Sequence, residues 1–158
     1  MENENSERIV IENITPSAVL TTVDAAYSIK LFIEEFYAGC IEFETSELKN
    51  HIILYNQNSL AFALKAIIKE LTLKRVCKIS FQSDVQSFLI VFKTHEHLQQ
   101  STRDRLSLIA KECGFILEFG ESDLRLNIPT MRKIVYSLYE RMKKTFFFAL
   151  VDAFSKDS

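Results

Sequence analysis

Few side chains in this sequence have the type and spacing for chemistry, and each must be judged by its neighbours. His95, Glu96 and His97 are the only local cluster of metal-ligating types. In an extended segment, alternation would put both imidazoles on one side. No third ligand follows, and a two-ligand site holds metal weakly, so these read as solvated loop residues. His51 could in principle carry a phosphoryl group, yet Ile52, Ile53 and Leu54 follow it and no carboxylate stands beside it. Cys40, Cys77 and Cys113 lie far apart among apolar residues and form no Cys-x-x-Cys pair. They predict small buried hydrophobes rather than a disulfide frame or a zinc site. No Gly-x-Ser-x-Gly elbow offers a nucleophile.

Composition narrows the field further. The 158 residues hold only 3 Gly and 2 Pro, little material for glycine-rich loops that cradle phosphates. Hydrophobic residues make up 47% and charged residues 25%, with 13 Phe and 5 Tyr to fill a core, which is the composition of one globular domain spanning 1–158. A net charge of −2 supplies no general field for nucleic acid or an anionic membrane, so no nucleic-acid partner is expected. The acidic, polar residues 1–7 lack the basic start and apolar run of an export signal, which predicts a cytoplasmic protein. The longest apolar run, residues 146–151, is far short of the roughly 20 needed to cross a bilayer.

The elements that must position these residues can be read from periodicity. Ile9, Val10 and Ile11 predict a short strand. Thr15 and Pro16 then read as a cap and first turn for a helix over 15–38, with Val19, Val23, Ala26, Ile29, Ile33 and Phe36 on one stripe up to Gly39. Ile41 and Phe43, and then residues 52–54, predict strands. Asn58 and Ser59 are expected to cap a helix over 58–74, whose stripe is Leu60, Leu64, Ile67, Ile68 and Leu71, with Lys65, Lys69 and Glu70 on the remaining surface. Alternation over 76–82 and 86–93 predicts a hairpin turning at 83–86, its second strand apolar on both faces and therefore central. Ser101 to Asp104 has capping-box spacing for a helix over 102–113 that Gly114 closes. Residues 115–119 and 123–128 make a second hairpin, and Thr130 caps a last helix over 131–154.

This order predicts an α/β (α+β) two-layer sandwich, a mixed and mostly antiparallel sheet covered by helices. It resembles the GHKL ATPase domain of sensor histidine kinases and their anti-sigma relatives, as a core over 8–129 with an added helix over 130–155. The most similar stretches are 52–71, like the strand, turn and Asn-box helix, and 106–129, where Leu106 to Gly114, Phe115 to Phe119 and Leu124 to Pro129 resemble the helix and closing hairpin after the glycine boxes. The resemblance implies Mg-ATP binding, but its residues are missing. Lys65 and Lys69 occupy the matching Asn-box positions, and an ammonium group cannot ligate magnesium. Lys93 and Thr94 stand where the adenine-reading Asp and its glycines belong, and about ten residues from there to the next helix leave no room for an ATP lid. The expectation is a degenerate, catalytically silent module with no cofactor, in which Lys65, Lys69 and Lys93 mark a remnant pocket, acting through a protein partner in bacterial signalling. An active anti-sigma-like kinase, a histidine phosphotransferase, and a nucleic-acid or membrane-surface binder are the alternatives.

The last helix is the least scaffold-like feature. Arg132, Lys133, Arg141, Lys143 and Lys144 stand against Glu140, a local net of +4 in a chain whose total is −2. Phe146, Phe147 and Phe148 follow, and at about 100° per residue they cannot share one face. The helix is expected either to pack on the open side of its own sheet or to place these phenylalanines in an interface, most simply a homodimer.

Overall fold

Residues 77–82 alternate and 88–92 are apolar throughout, as a central hairpin should be, and the rest of the sheet is built around them. The computed structural model describes residues 18–37, 39, 41–44, 46–72, 77–94 and 97–156. The elements in chain order are β1 (Ala18–Thr21), α1 (Thr22–Tyr37), β2 (Ile41–Phe43), β3 (Ile52–Tyr55), α2 (Gln57–Thr72), β4 (Cys77–Ser83), β5 (Ser87–Lys93), α3 (Gln100–Glu112), β6 (Ile116–Phe119), β7 (Asp123–Pro129) and α4 (Met131–Lys156). Five strands form one sheet in the order β2-β4-β5-β7-β6, with β2 parallel to β4 and the other pairs antiparallel. Strands β1 and β3 pair separately as an antiparallel ribbon.

The register sorts the side chains by face. Ile79 opposes Phe92, Phe81 opposes Ile90, and across β5 Phe88 opposes Ile128, Ile90 opposes Leu126 and Phe92 opposes Leu124. All of these are buried, and Ala25, Ile29 and Ile33 of α1, Leu64, Ile67 and Ile68 of α2, and Leu106 and Ala110 of α3 join them in one core. The alternate positions of the same strands carry Lys78, Gln82, Lys93, Asp123 and Arg125 on the other face. One layer of helices therefore covers one face of a mixed sheet, the expected α+β sandwich, with β5 central as its two-sided apolar character predicts.

Two buried threonines fix where helices begin. Thr22 Oγ1 donates to the Lys49 carbonyl at 2.6 Å and accepts from the His51 N–H at 3.2 Å, while its own N–H donates to the His51 carbonyl at 2.7 Å. Thr130 Oγ1 donates to the Val85 carbonyl at 2.6 Å and accepts from the Lys133 N–H at 3.3 Å, capping α4 as expected.

Three local expectations are corrected. The stripe read from Val19 onward does not begin a helix there: residues 18–21 are strand, paired Val19 to Leu54 and Leu20 to Ile53, and α1 starts at Thr22. Tertiary pairing with β3 outweighs the helical spacing of one valine. Asn56, rather than Asn58 and Ser59, caps α2, its Oδ1 accepting from the Ser59 N–H at 3.0 Å. The capping box at Ser101 does not form: α3 already runs from Gln100, so Ser101 lies inside it, and Asp104 Oδ1 accepts from Gln100 Nε2 at 2.8 Å. Gly114 closes this helix at φ +86°, a backbone that glycine adopts without strain. The predicted strand at 9–11, the Thr15 and Pro16 start, Cys40, His95 and Glu96 lie outside the described residues.

Phe88, fully buried and packed on Phe81 with ring centroids 6.0 Å apart, reports directly on this core. Phe88→Ala is expected to lower the unfolding free energy by about 3–5 kcal/mol, read as a shift of the urea midpoint with the slope unchanged. Burial pushes the Cys77 thiol up to about 12, so it should resist alkylation in the folded protein at pH 8 and react only when urea unfolds the chain.

Candidate functional site

Helix α2 sits where α1 and α3 can both reach it, and the phase of its stripe decides which residue meets which neighbour. Leu60, Leu64, Ile67, Ile68 and Leu71 point into the core, which turns Lys65 and Lys69 to one flank and Glu70 to another. Lys65 and Lys69 are exposed. Lys65 Nζ lies 5.2 Å from the Phe36 ring centroid and 5.9 Å from that of Phe32, two rings that are themselves 5.0 Å apart. The ammonium is thus held on the aromatic faces of α1. On the other flank Glu70 forms an ion pair with Arg105 of α3. Helix α2 offers Lys65 to α1 and its carboxylate to α3.

Lys93 does not join the two α2 lysines. It lies on the polar face of the sheet, opposite the helices, and Nζ is 2.7 Å from Glu44 Oε2. The hydrogen bond from Lys93 holds the Glu44 carboxyl below its ordinary value of 4.5, opposed by desolvation and aided by the charges of Lys93 and Lys78. The three lysines expected around a remnant pocket therefore belong to two surfaces. Residues 94–99 are all that connects β5 to α3: Thr94 N–H donates to the Ser122 carbonyl at 3.0 Å, and Leu98 packs against the core.

A cleft of about 270 Å³ opens between α1 and the start of α2, lined by Ser28, Phe32, Tyr55, Gln57, Asn58 and Leu60 among others. Tyr55 is buried at its edge, and burial raises its hydroxyl above the usual range. His51 is half-buried beside the ribbon, held by its backbone to Thr22. His97 is exposed, and its ring nitrogens face Arg103 Nη2 at 3.1 and 3.3 Å. Phe146, Phe147 and Phe148 are 67%, 62% and 67% exposed, and residues 141–153 of α4 are exposed throughout. Helix α4 therefore does not lie on the open side of its own sheet.

Sequence reasoning missed Phe32 and the Glu70 to Arg105 pair, and the Val23 and Phe36 that it set on the stripe facing the core are exposed, Phe36 beside Lys65. A helical wheel drawn from the α2 stripe already puts Lys65 and Glu70 on different flanks, but which helix covers each flank is tertiary information.

No protein-family model matches the sequence, and no curated protein matches it. Solved structures do match. The ATP binding domain of PrrB from Mycobacterium tuberculosis superposes with a TM-score of 0.52 at 14% identity, covering 72% of this chain and 96% of that one. The histidine kinase domain of the E. coli osmosensor EnvZ gives 0.51 at 11%, covering 72% and 88%. The Acinetobacter baumannii histidine kinase AdeS gives 0.51 at 10%, covering 72% and 67%. The two-layer sandwich described above is the histidine-kinase ATPase fold. At these identities the likeness is one of fold.

The site residues make a charge-specific prediction. Because the Glu44 carboxyl is depressed in the folded state, its contribution to stability is present above the unfolded value near 4.5 and is lost as pH falls through the folded value. In Lys93→Ala, the Glu44 side-chain resonance should titrate at higher pH than in the wild type, followed by carbon-detected NMR. An unchanged midpoint would mean that Lys93 is not its partner.

Proposed function

We propose that this chain is a non-catalytic regulatory protein that acts by binding another protein, on an ATPase fold whose Mg-ATP site has been lost. The observation that carries this reading is the chemistry of α2. A divalent cation bridging phosphates needs neutral or anionic oxygen. The Asn-box-like positions hold Lys65 and Lys69, which are donors only. The one carboxylate on the helix, Glu70, is already neutralised by Arg105. The residues present do not fit magnesium.

Two further features support the same reading. No Asp or Gly stands at the end of β5, where Lys93 and Thr94 are found, so the adenine-reading contact implied by the resemblance has no donor set. Six residues between β5 and α3 are too few for a segment that closes over a nucleotide. Lysines alone can attract phosphate as point charges, but without metal, adenine contact or cover the attraction is that of an exposed surface. The neighbours' names, an ATP binding domain and two histidine kinases, supply the signalling context. A chain with this fold and without its chemistry retains surfaces, and surfaces bind proteins.

Calorimetric titration with Mg-ATP tests the loss. The expected result is no saturable heat up to millimolar nucleotide. A micromolar Kd, corresponding to about −8 kcal/mol and abolished by chelating magnesium, would overturn the reading and make the chain an active nucleotide binder.

A further inference from the structure

Helix α4 exposes more apolar surface than one free helix can sustain. Val135, Leu138, Met142 and Phe146 recur at spacings of three and four and form a single stripe, and all four are exposed, Met142 at 71%. Arg132 and Lys143 flank this stripe on one side and Arg141 on the other, at roughly 80–100° around the helix. An apolar stripe flanked by cations fits an apolar ridge with carboxylates along it.

The chain carries such a ridge. On α1, Val23, Tyr27 and Leu31 succeed one another at i, i+4 and i+8 and are all exposed, Tyr27 at 66%. Asp24 and Glu35 run along one side of this ridge and Glu34 beside it, all exposed. Lys30 borders the ridge on the opposite side, where its ammonium is engaged 5.2 Å above the Phe43 ring. Because residues 141–153 are exposed, α4 does not cover the α1 of its own chain.

We infer that two copies of this chain form a reciprocal dimer in which the α4 stripe of each copy seats on the α1 ridge of the other. This rests on the protein-binding reading above and names its partner. The complement is charge-matched: basic rims from α4 meet Asp24, Glu34 and Glu35 of the other copy. A direct α4 to α4 pair would instead juxtapose the cations of both helices at 132–144. A two-fold axis makes both contacts at once, since each copy supplies one stripe and one ridge. The seven large exposed side chains per copy, at roughly 100 Å² apiece together with the charged rims, approach the about 800 Å² per partner of a standard interface. A lipid surface would satisfy α4 and leave the acidic α1 ridge unexplained.

The test is sedimentation equilibrium on the full chain between about 1 and 200 µM. The wild type should be dimeric. Leu31→Glu and Met142→Glu, both at exposed positions, should each be monomeric at concentrations where the wild type is paired, with unchanged far-UV circular dichroism. Mixing these two variants should restore dimers, because one stripe and one ridge in the mixed pair are intact. Charge reversal should behave alike: Lys143→Glu weakens pairing at least tenfold, and Glu34→Lys in the other copy recovers part of it. A monomeric wild type overturns the inference, whether or not it binds vesicles of phosphatidylcholine and phosphatidylserine. So does a Leu31→Glu variant that stays dimeric while Met142→Glu does not, which would indicate direct α4 pairing. A mixture that fails to pair overturns it as well. Micromolar Mg-ATP binding by a chain that passes these tests would remove the loss of nucleotide binding and leave the dimer standing.

Discussion

Strand β5 is hydrogen-bonded along its length to β4 on one side and β7 on the other, and it sends Phe88, Ile90 and Phe92, fully buried, beneath the helices. Everything else is placed relative to that strand. A one-residue slip against either neighbour would bring Leu89 and Val91 to the helix side and carry the two phenylalanines out, so the register is strongly specified. The helices follow because each has a stripe that only this face can bury: Ala25, Ile29 and Ile33, then Leu64, Ile67 and Ile68, then Leu106 and Ala110. Thr22 and Thr130 then join the outlying pieces to the sheet-bearing core, each spending its hydroxyl on a carbonyl far away in sequence. The Lys49 carbonyl also accepts from Ser83 Oγ at 2.7 Å, so the Thr22 contact is one of two that fasten this loop.

The same constraint shapes the candidate site. Once the α2 stripe is committed to the core, its other residues have no freedom in where they point. Lys65 must face α1, and the phenylalanines there hold its ammonium. Glu70 must face α3, and Arg105 neutralises it. Such a pair, between groups that are partly exposed, adds little to stability, with exposed ion pairs worth about 0–1 kcal/mol. Its consequence is chemical, since a carboxylate matched to a guanidinium has less capacity for a cation. Lys65 and Glu70 of α2 thus make contacts within the chain.

Much of this was legible in the sequence. Strict alternation over 77–82 and 123–128, and the unbroken apolar run through Phe88 to Phe92, define the sheet with its central strand. The α2 and α3 stripes define two of the covering helices. What failed had a common cause. Val19 continues the α1 period by one turn, so nothing local distinguishes it from a helical residue; only pairing with Leu54 makes it strand. Asn56 and Asn58 are equally good caps by type, and the choice belongs to where β3 ends. For the site, the sequence identified Lys65, Lys69 and Lys93 as cations in place of ligands, yet β5 strand parity puts Lys93 on the far side of the sheet, beside Glu44. That parity could have been applied to the sequence: Lys93 is one residue beyond Phe92, and Phe92 faces the core.

Helix α4 shows what the core does not stabilise. Its first turn is tied down by Thr130, whose backbone also bridges to Ile53, and by the Ile134 N–H to the Thr130 carbonyl at 3.1 Å. Its residues 141–153 are exposed. Its 26 residues exceed the length at which isolated helices are marginal by size alone, but it carries β-branched and aromatic residues that lower its propensity. Most helical stability in proteins comes from packing an amphipathic face. An exposed aromatic ring forfeits most of the roughly 1.5–3 kcal/mol that its burial contributes, and three of them occur in a row here. In the dimer inferred above, the other copy would supply the packing surface that this helix lacks within its own chain. The surface that inference assigns to it is the exposed apolar ridge of α1, with Asp24, Glu34 and Glu35 beside it.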